Sequence, residues 1–140
     1  MMVLDTNVVS ELMKEDASPR VLTWLSKHSA QSMFLTALTE AEVRLGLARL
    51  PAGKRRRVLE SAADGLFDDF RGRIMAFDSD AARMYAMIGA HRRSVGHPIS
   101  VIDAQIAAIV RSRSGILVTR NTKDFAGCEI DLFNPWLDDT

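Results

Sequence analysis

Five side chains with oxygen donors stand at positions where chemistry tends to gather. Asp5 ends the apolar run Met2-Val3-Leu4, and Glu42 precedes Val43-Arg44-Leu45-Gly46. Asp103 opens the amphipathic stretch Ile102-Asp103-Ala104-Gln105-Ile106, and Asn121 and Asp124 follow the apolar run Ile116-Leu117-Val118. An acid at the carboxyl end of a buried strand, followed at once by a helix, lies where ligands collect in open α/β sheets. Such a carboxylate is costly to desolvate unless a cation, donor or water compensates it. Strand ends and helix beginnings share one edge of a parallel α/β sheet, so these acids are expected to converge and repel one another unless a divalent cation neutralises them. Oxygen-only donors without a paired His or Cys favour hard ions, Mg²⁺ or Mn²⁺. Such ions suit phosphodiester hydrolysis, because they acidify an attacking water and stabilise charge on the phosphate.

Each of these residues also has a purely structural reading. Ser100 is a fitting N-cap, with Asp103 at the third helical position facing the helix dipole favourably. Thr39-Glu40-Ala41-Glu42 before an apolar run matches a capping box, which makes Glu42 its reciprocal acid. Asp124 fits a turn cap after the strand. Thr6, Asn7 and Thr119 are supporting polar groups that either orient ligands and water or serve turn and cap chemistry; for Asn7 the cap is favoured.

The elements that must position these side chains follow from periodicity and breakers. Strands are expected at Met2–Leu4, Met33–Leu35, Ile74–Phe77, Ile116–Thr119 and Ile130–Phe133. Helices are expected at Val8–Lys14, Pro19–His28, Ala41–Leu50 and, after Pro51-Ala52-Gly53, Lys54–Phe67. Two more carry the stripes Ala81, Met84, Tyr85, Ile88 and Ile102, Ile106, Ile109, Val110, the latter beginning near Ser100. Helices between short buried strands imply an α/β fold, with a mostly parallel sheet of four to five strands covered on both faces.

Composition narrows the function classes. A chain of 140 residues, 47% hydrophobic and 26% charged, reads as one globular domain over 1–140. Its 18 basic and 18 acidic side chains cancel, unlike those of a purely electrostatic nucleic-acid binder. The single Cys128 excludes an internal disulfide and a Cys-based zinc site and fits a reducing cytoplasm. There is no signal-like start and no run of about 18 apolar residues, so a soluble cytoplasmic protein without a membrane partner is expected. No phosphate loop, dinucleotide fingerprint or nucleophile elbow is present. His28, His91 and His97 lack metal-ligand spacing. Lys54-Arg55-Arg56-Arg57 opens a helix, where positive charge opposes the dipole; it is either a solvated face or a phosphate-tracking patch for RNA, and Arg92-Arg93 and Arg111-Ser112-Arg113 are weaker candidates of the same kind.

The four segments together resemble the PIN-domain ribonucleases, specifically the toxins of VapBC/FitAB-type toxin–antitoxin pairs. Leu4-Asp5-Thr6-Asn7-Val8-Val9-Ser10-Glu11 is similar to that family's opening motif. Thr39-Glu40-Ala41-Glu42-Val43-Arg44-Leu45-Gly46 is similar to the second motif, with Glu42 in the acidic place. Ile102-Asp103-Ala104-Gln105-Ile106-Ala107-Ala108 resembles the third, and Thr119-Arg120-Asn121-Thr122-Lys123-Asp124-Phe125 the fourth; Asn134-Pro135-Trp136 resembles the usual ending. One departure is Asn121, where many relatives carry Asp; a neutral amide adds no charge and weakens a second ion position more than the first.

The resemblance implies a Mg²⁺- or Mn²⁺-dependent endoribonuclease in which Asp5, Glu42 and Asp103 hold the ion and Asn121 or Asp124 completes its surroundings. It further implies 5′-phosphate and 3′-hydroxyl products, a homodimer, and a small DNA-binding antitoxin whose tail blocks the acidic pocket, for which an inserted Arg is suited. Two other classes remain. One is an inactive PIN module that binds RNA or a protein. The other is a phosphotransferase or receiver with Asp5 as covalent phosphoacceptor, which position 7 disfavours by carrying Asn where such enzymes want Asp.

Overall fold

The computed structural model describes residues 1–138. The chain runs β1 (Met2–Leu4), α1 (Thr6–Leu12), α2 (Pro19–Ser26), β2 (Met33–Thr36), α3 (Ala37–Ala48), α4 (Lys54–Asp69), β3 (Ile74–Met75), α5 (Ser79–Ser94), α6 (Val101–Ser112), β4 (Ile116–Val118) and β5 (Asp131–Phe133). Short 3₁₀ turns cover Ala30–Ser32 and Thr122–Phe125. The strands form one parallel sheet in the order β3-β2-β1-β4-β5. The expected α/β architecture is therefore observed, with five strands and six α-helices among the described residues.

Alternation along the central strands sends successive side chains to opposite faces. Val3 and Leu117 face α5 and α6, packing with Ile88, Ile106, Ile109 and Val110. Leu4, Leu35 and Val118 face the other way, into a layer built with Val8 and Val9 of α1, Trp24 of α2, Val43 of α3 and Phe67 of α4. Val3, Leu35, Leu117 and Val118 are completely buried. Burial of each such side chain contributes about 1.5–3 kcal/mol, so the shortness of β1 and β4 does not make them loose. Register places Leu4 beside Val118, and Val118 beside Phe133. The carboxyl ends of β1, β4 and β5 are thus level.

Several element bounds differ from the periodicity reading. Helix α1 starts at Thr6, not Val8, because Asp5 itself is the N-cap and its side chain accepts from the Thr6 N–H. It ends at Leu12, and α2 ends at Ser26 where Lys27 terminates it. Helix α3 starts at Ala37 rather than Ala41, capped by Thr36 through the Thr39 N–H. Glu42 consequently lies in the second turn of α3, and the capping-box reading of Thr39–Glu42 is wrong. Helix α4 extends to Asp69, and β3 stops at Met75. Ser100 caps α6 as expected, accepting from the Asp103 N–H.

The strand order contains one topological switch. From β1 the chain moves outward through β2 to β3, then returns across the sheet to β4 on the other side of β1. Ligands in open α/β sheets bind outside the carboxyl ends of the strands at such a switch. The residues that end the two switch-point strands are Asp5 and Thr119.

Candidate active site

Asp5 is built into the frame on every side. Its N–H donates to the Val118 carbonyl at 2.9 Å, prolonging the β1–β4 ladder, and its carbonyl accepts from Val8 and Val9 at 3.0 and 3.2 Å. Oδ1 accepts from the Thr6 N–H at 2.8 Å. Oδ2 accepts from the Thr119 hydroxyl at 2.8 Å and from Asn7 Nδ2 at 3.2 Å. The residue is 5% exposed.

Thr119 uses its whole bonding capacity there. Besides donating to Asp5, its Oγ1 accepts from Asn7 Nδ2 at 3.1 Å and from the Asn121 N–H at 3.0 Å, one donor and two acceptor positions in all. Asn7 completes the net, since its Oδ1 accepts from the Arg120 N–H at 3.1 Å. Position 7 needs donors toward Asp5 and an acceptor toward the backbone, which an amide supplies and a carboxylate does not. Asn7 is therefore a bridge between β1 and β4 rather than the helix cap expected of it; the cap is Asp5.

Glu42 reaches the same edge from α3. Thr6 Oγ1 donates to Glu42 Oε1 at 2.6 Å and lies 3.2 Å from the Thr39 hydroxyl. Asp103, half-buried in the first turn of α6, approaches from the opposite layer. Its carboxyl is raised above its usual range, chiefly by burial, with hydrogen bonding to Ser100 opposing and the charges of Asp124 and Glu42 adding; Arg92 pulls it down. Asn121 precedes the 3₁₀ turn and is exposed, with no side-chain hydrogen bond among the described residues. Asp124 is exposed too, and its carboxylate acts on Asp103 through charge.

Electrostatically the edge is unneutralised. Burial pushes the Asp5 carboxyl from 3.8 to about 6; the Thr119 and Thr6 hydrogen bonds oppose this, and the charges of Asp103 and Glu42 reinforce it. Among the described residues no Lys or Arg forms an ion pair with Asp5, Glu42, Asp103 or Asp124. Nor do three acidic, His or Cys side chains among them close around one point tightly enough to hold an ion by themselves. The fit is instead to an ion that keeps much of its water. Mg²⁺ characteristically takes one or two carboxylates and retains several waters, and a carboxyl raised chiefly by burial, with like charges adding, is relieved by such a cation.

Beside the acids lies a groove of about 270 Å³ lined by Thr6, Glu42, Ser10, Met13 and Leu47. Through Met13, Lys14 and Leu59 it adjoins a broader depression that reaches Lys54 and Arg55. The basic run is thus divided. Arg56 turns to Glu60 at 2.6 Å and to the Leu50 carbonyl, while Arg57 is exposed and is not among the residues lining that depression.

Arg92, read from sequence with Arg93 as a weaker phosphate-patch candidate, is instead a buried anchor. This residue of α5 is 8% exposed and donates to the carbonyls of His97, Asp124 and Ala126 at 2.7–2.9 Å. It anchors the segment carrying Asp124 and contributes the cationic influence on Asp103. In sequence it stands beside Arg93 in the last turn of a helix, where solvated cations are ordinary.

With this geometry in hand, similarity to known proteins becomes informative. The PIN domain family profile matches residues 2–127. The chain is 39% identical over 137 residues to VapC ribonuclease Y4jK of Sinorhizobium fredii, covering 97% of this chain and 98% of that one. It is 38% identical over 139 residues to Toxin FitB of Neisseria gonorrhoeae, covering 99% of this chain and 100% of that protein. A solved structure of FitAB bound to the IR36 DNA fragment superposes with a TM-score of 0.94 at 36% identity, covering 100% of this chain and 99% of the matched one. Among the described residues, no helix is long and apolar enough to cross a membrane. The chain belongs to the PIN-domain family, in the group that contains the VapC and FitB proteins.

Proposed function

We propose that this protein is a Mg²⁺- or Mn²⁺-dependent endoribonuclease acting as the toxin of a two-component toxin–antitoxin module in the cytoplasm. The observation that carries the reading is the group of uncompensated acids at the β1–β4 switch, with Asp5 buried, raised to about 6 and without a cationic partner. Full-length similarity to a protein named as a ribonuclease supports the same chemistry.

Asp5, Glu42 and Asp103 would hold the ion, directly or through water, with Asn121 or Asp124 at the outer side. When bound, such an ion lowers the pKa of a water and stabilises charge developing on the phosphate. The protein's share is orientation. Thr119 and Asn7 fix Asp5 Oδ2, the Thr6 N–H fixes Oδ1, and the Thr6 hydroxyl holds Glu42. A water attacks phosphorus in line, the bond to the 3′-oxygen breaks, and the products carry 5′-phosphate and 3′-hydroxyl ends. No side-chain nucleophile is required. A covalent role for Asp5 is disfavoured because position 7 carries Asn, where phosphoacceptor enzymes want a second Asp.

Partners follow from relatives. The FitAB structure is a complex bound to DNA, so a small DNA-binding antitoxin is the expected companion, with its tail against the acidic edge and the toxin chains paired as a homodimer. The deciding experiment compares wild type with Asp5→Asn on RNA with and without Mg²⁺. Cleavage only by wild type, and only with the ion, is expected; equal cleavage by both proteins refutes the assignment.

A further inference from the structure

An acidic site that must receive a polyanion needs cations at its rim, and one arginine is prepared for that work. Arg120 follows Thr119 directly, and its backbone is fixed at both ends: its N–H donates to Asn7 Oδ1 at 3.1 Å, and its carbonyl accepts from Asn134 Nδ2 at 3.4 Å. Its guanidinium lies over the Trp136 ring, 4.9 Å from the centroid.

The indole is itself anchored. Trp136 packs against the layer containing Trp24 and Val118, and its backbone N–H donates to Oδ1 of the buried Asn134 at 2.9 Å. The Asn134 N–H in turn donates to Asp138 Oδ2 at 2.8 Å.

This arrangement differs from that of several other arginines. Arg44 is paired with Glu40 and Asp64, Arg83 with Asp80, and Arg111 with Glu129. Arg120 has no carboxylate partner and no side-chain hydrogen bond among the described residues. Stacking engages the flat face of a guanidinium and leaves the five N–H donors at its edge for a phosphate. Position matters as much as chemistry. Asp5 lies between two lines of contact, one through Thr6 to Glu42 and the groove leading to Lys54 and Arg55, the other through Asn7 to Arg120.

We propose that Arg120, laid on Trp136, is a phosphate-binding subsite for single-stranded RNA that grips a phosphodiester neighbouring the one cut at Asp5. The proposal rests on the nuclease reading for the identity of its ligand, and its test separates the two.

The probe is a fluorescein-labelled twelve-nucleotide oligouridylate, titrated against Asp5→Asn protein over a series of low salt concentrations. Each phosphate contact on a single strand contributes about 0.7 to the slope of log affinity against log salt. Arg120→Ala in that background is expected to flatten the slope by about this amount and weaken binding roughly threefold to tenfold at low salt. Arg120→Lys should keep most of the slope, and Trp136→Leu should weaken binding while largely retaining it. Arg83→Ala, a change in a paired arginine on α5, should leave the slope unaltered. An unchanged slope in Arg120→Ala, or no binding of the probe by the parent protein, overturns the subsite. Cleavage by the wild-type chain is scored separately and bears on the nuclease reading alone.

Discussion

The Thr6 hydroxyl donates to Glu42 Oε1 at 2.6 Å, while the Thr6 N–H donates to Asp5 Oδ1 at 2.8 Å. One residue therefore couples a carboxylate ending β1 to another projecting from the second turn of α3. Removing the hydroxyl frees Glu42 without touching either charge. A hydrogen bond to a charged group contributes about 1.5–3 kcal/mol, and each 1.4 kcal/mol is about tenfold in rate. Thr6→Val is expected to lower RNA cleavage by at least about tenfold, with Thr6→Ser restoring most of it.

Glu42→Gln isolates charge from position. The amide oxygen can still accept from Thr6, and Glu42 caps nothing, so the melting temperature should remain close to wild type. Cleavage should fall by two orders of magnitude or so, on the scale of losing one electrostatic contributor to the transition state. Undiminished activity would remove Glu42 from the site.

The raised Asp5 carboxyl predicts a pH-dependent stability in metal-free protein. Its pKa is about 6 folded against 3.8 as its ordinary value, so the folded state binds the proton more tightly. Its stabilising contribution is complete below about pH 4 and is lost as the pH rises through 6. About two pK units correspond to a difference on the order of 3 kcal/mol. Paired carboxylates elsewhere give the opposite trend, so the readout is wild type minus Asp5→Asn across pH 4–7 by chemical denaturation. A flat difference contradicts the prediction. Added Mg²⁺ should stabilise wild type more at pH 7 than at pH 5.

Thr119→Val keeps the shape and removes all three hydrogen bonds of the hydroxyl. It leaves the Asn121 N–H without its partner and strips Asp5 Oδ2 of its shorter donor. An unsatisfied buried polar group costs about 1–3 kcal/mol. The melting temperature should drop by several degrees and cleavage should fall with it; Thr119→Ser should recover both. Retention of full stability in the valine variant would show that this net does not hold the strand ends.

Arg92→Met tests the anchor behind Asp103 and Asp124. Three carbonyls lose their charged donor, and a loss of roughly 1.5–3 kcal/mol is expected, the scale of a hydrogen bond to a charged group. Hydrogen exchange should quicken at residues 122–128 more than in the sheet. Uniform exchange across the chain would argue against a local role. Asp124→Asn, exposed and unbonded through its side chain, should leave stability unchanged.

Much of this arrangement was legible because it is local. Asp5 after Leu4 and Asp103 three residues beyond Ser100 announce a strand end and a capped helix start within a few positions. The start of α3 misled for the same reason: Thr39-x-x-Glu42 carries the capping-box letters, while the real cap, Thr36, has Thr39 instead of an acid three residues on. Glu42 was thus rightly chosen as a site residue on a wrong idea of its place in the helix. The roles of Arg92 and Arg120 were illegible because their partners lie in other elements. Asp124 and Ala126 are more than thirty positions from Arg92, and Trp136 reaches Arg120 only after β5 has returned the chain to the sheet.

Asp5 holds the start of α1 with the same oxygens that face the candidate ion. On the proposed toxin reading, alleles selected for loss of toxicity should therefore sort into two kinds at codon 5. Asn, Ser and Thr retain an N-cap acceptor and should yield inert, soluble protein still able to engage its antitoxin. Ala, Val and larger residues remove the cap together with the charge, and should be recovered as degraded chains that no longer sequester it. In a cell, the first kind alters how the module's own partner is titrated, whereas the second amounts to a deletion.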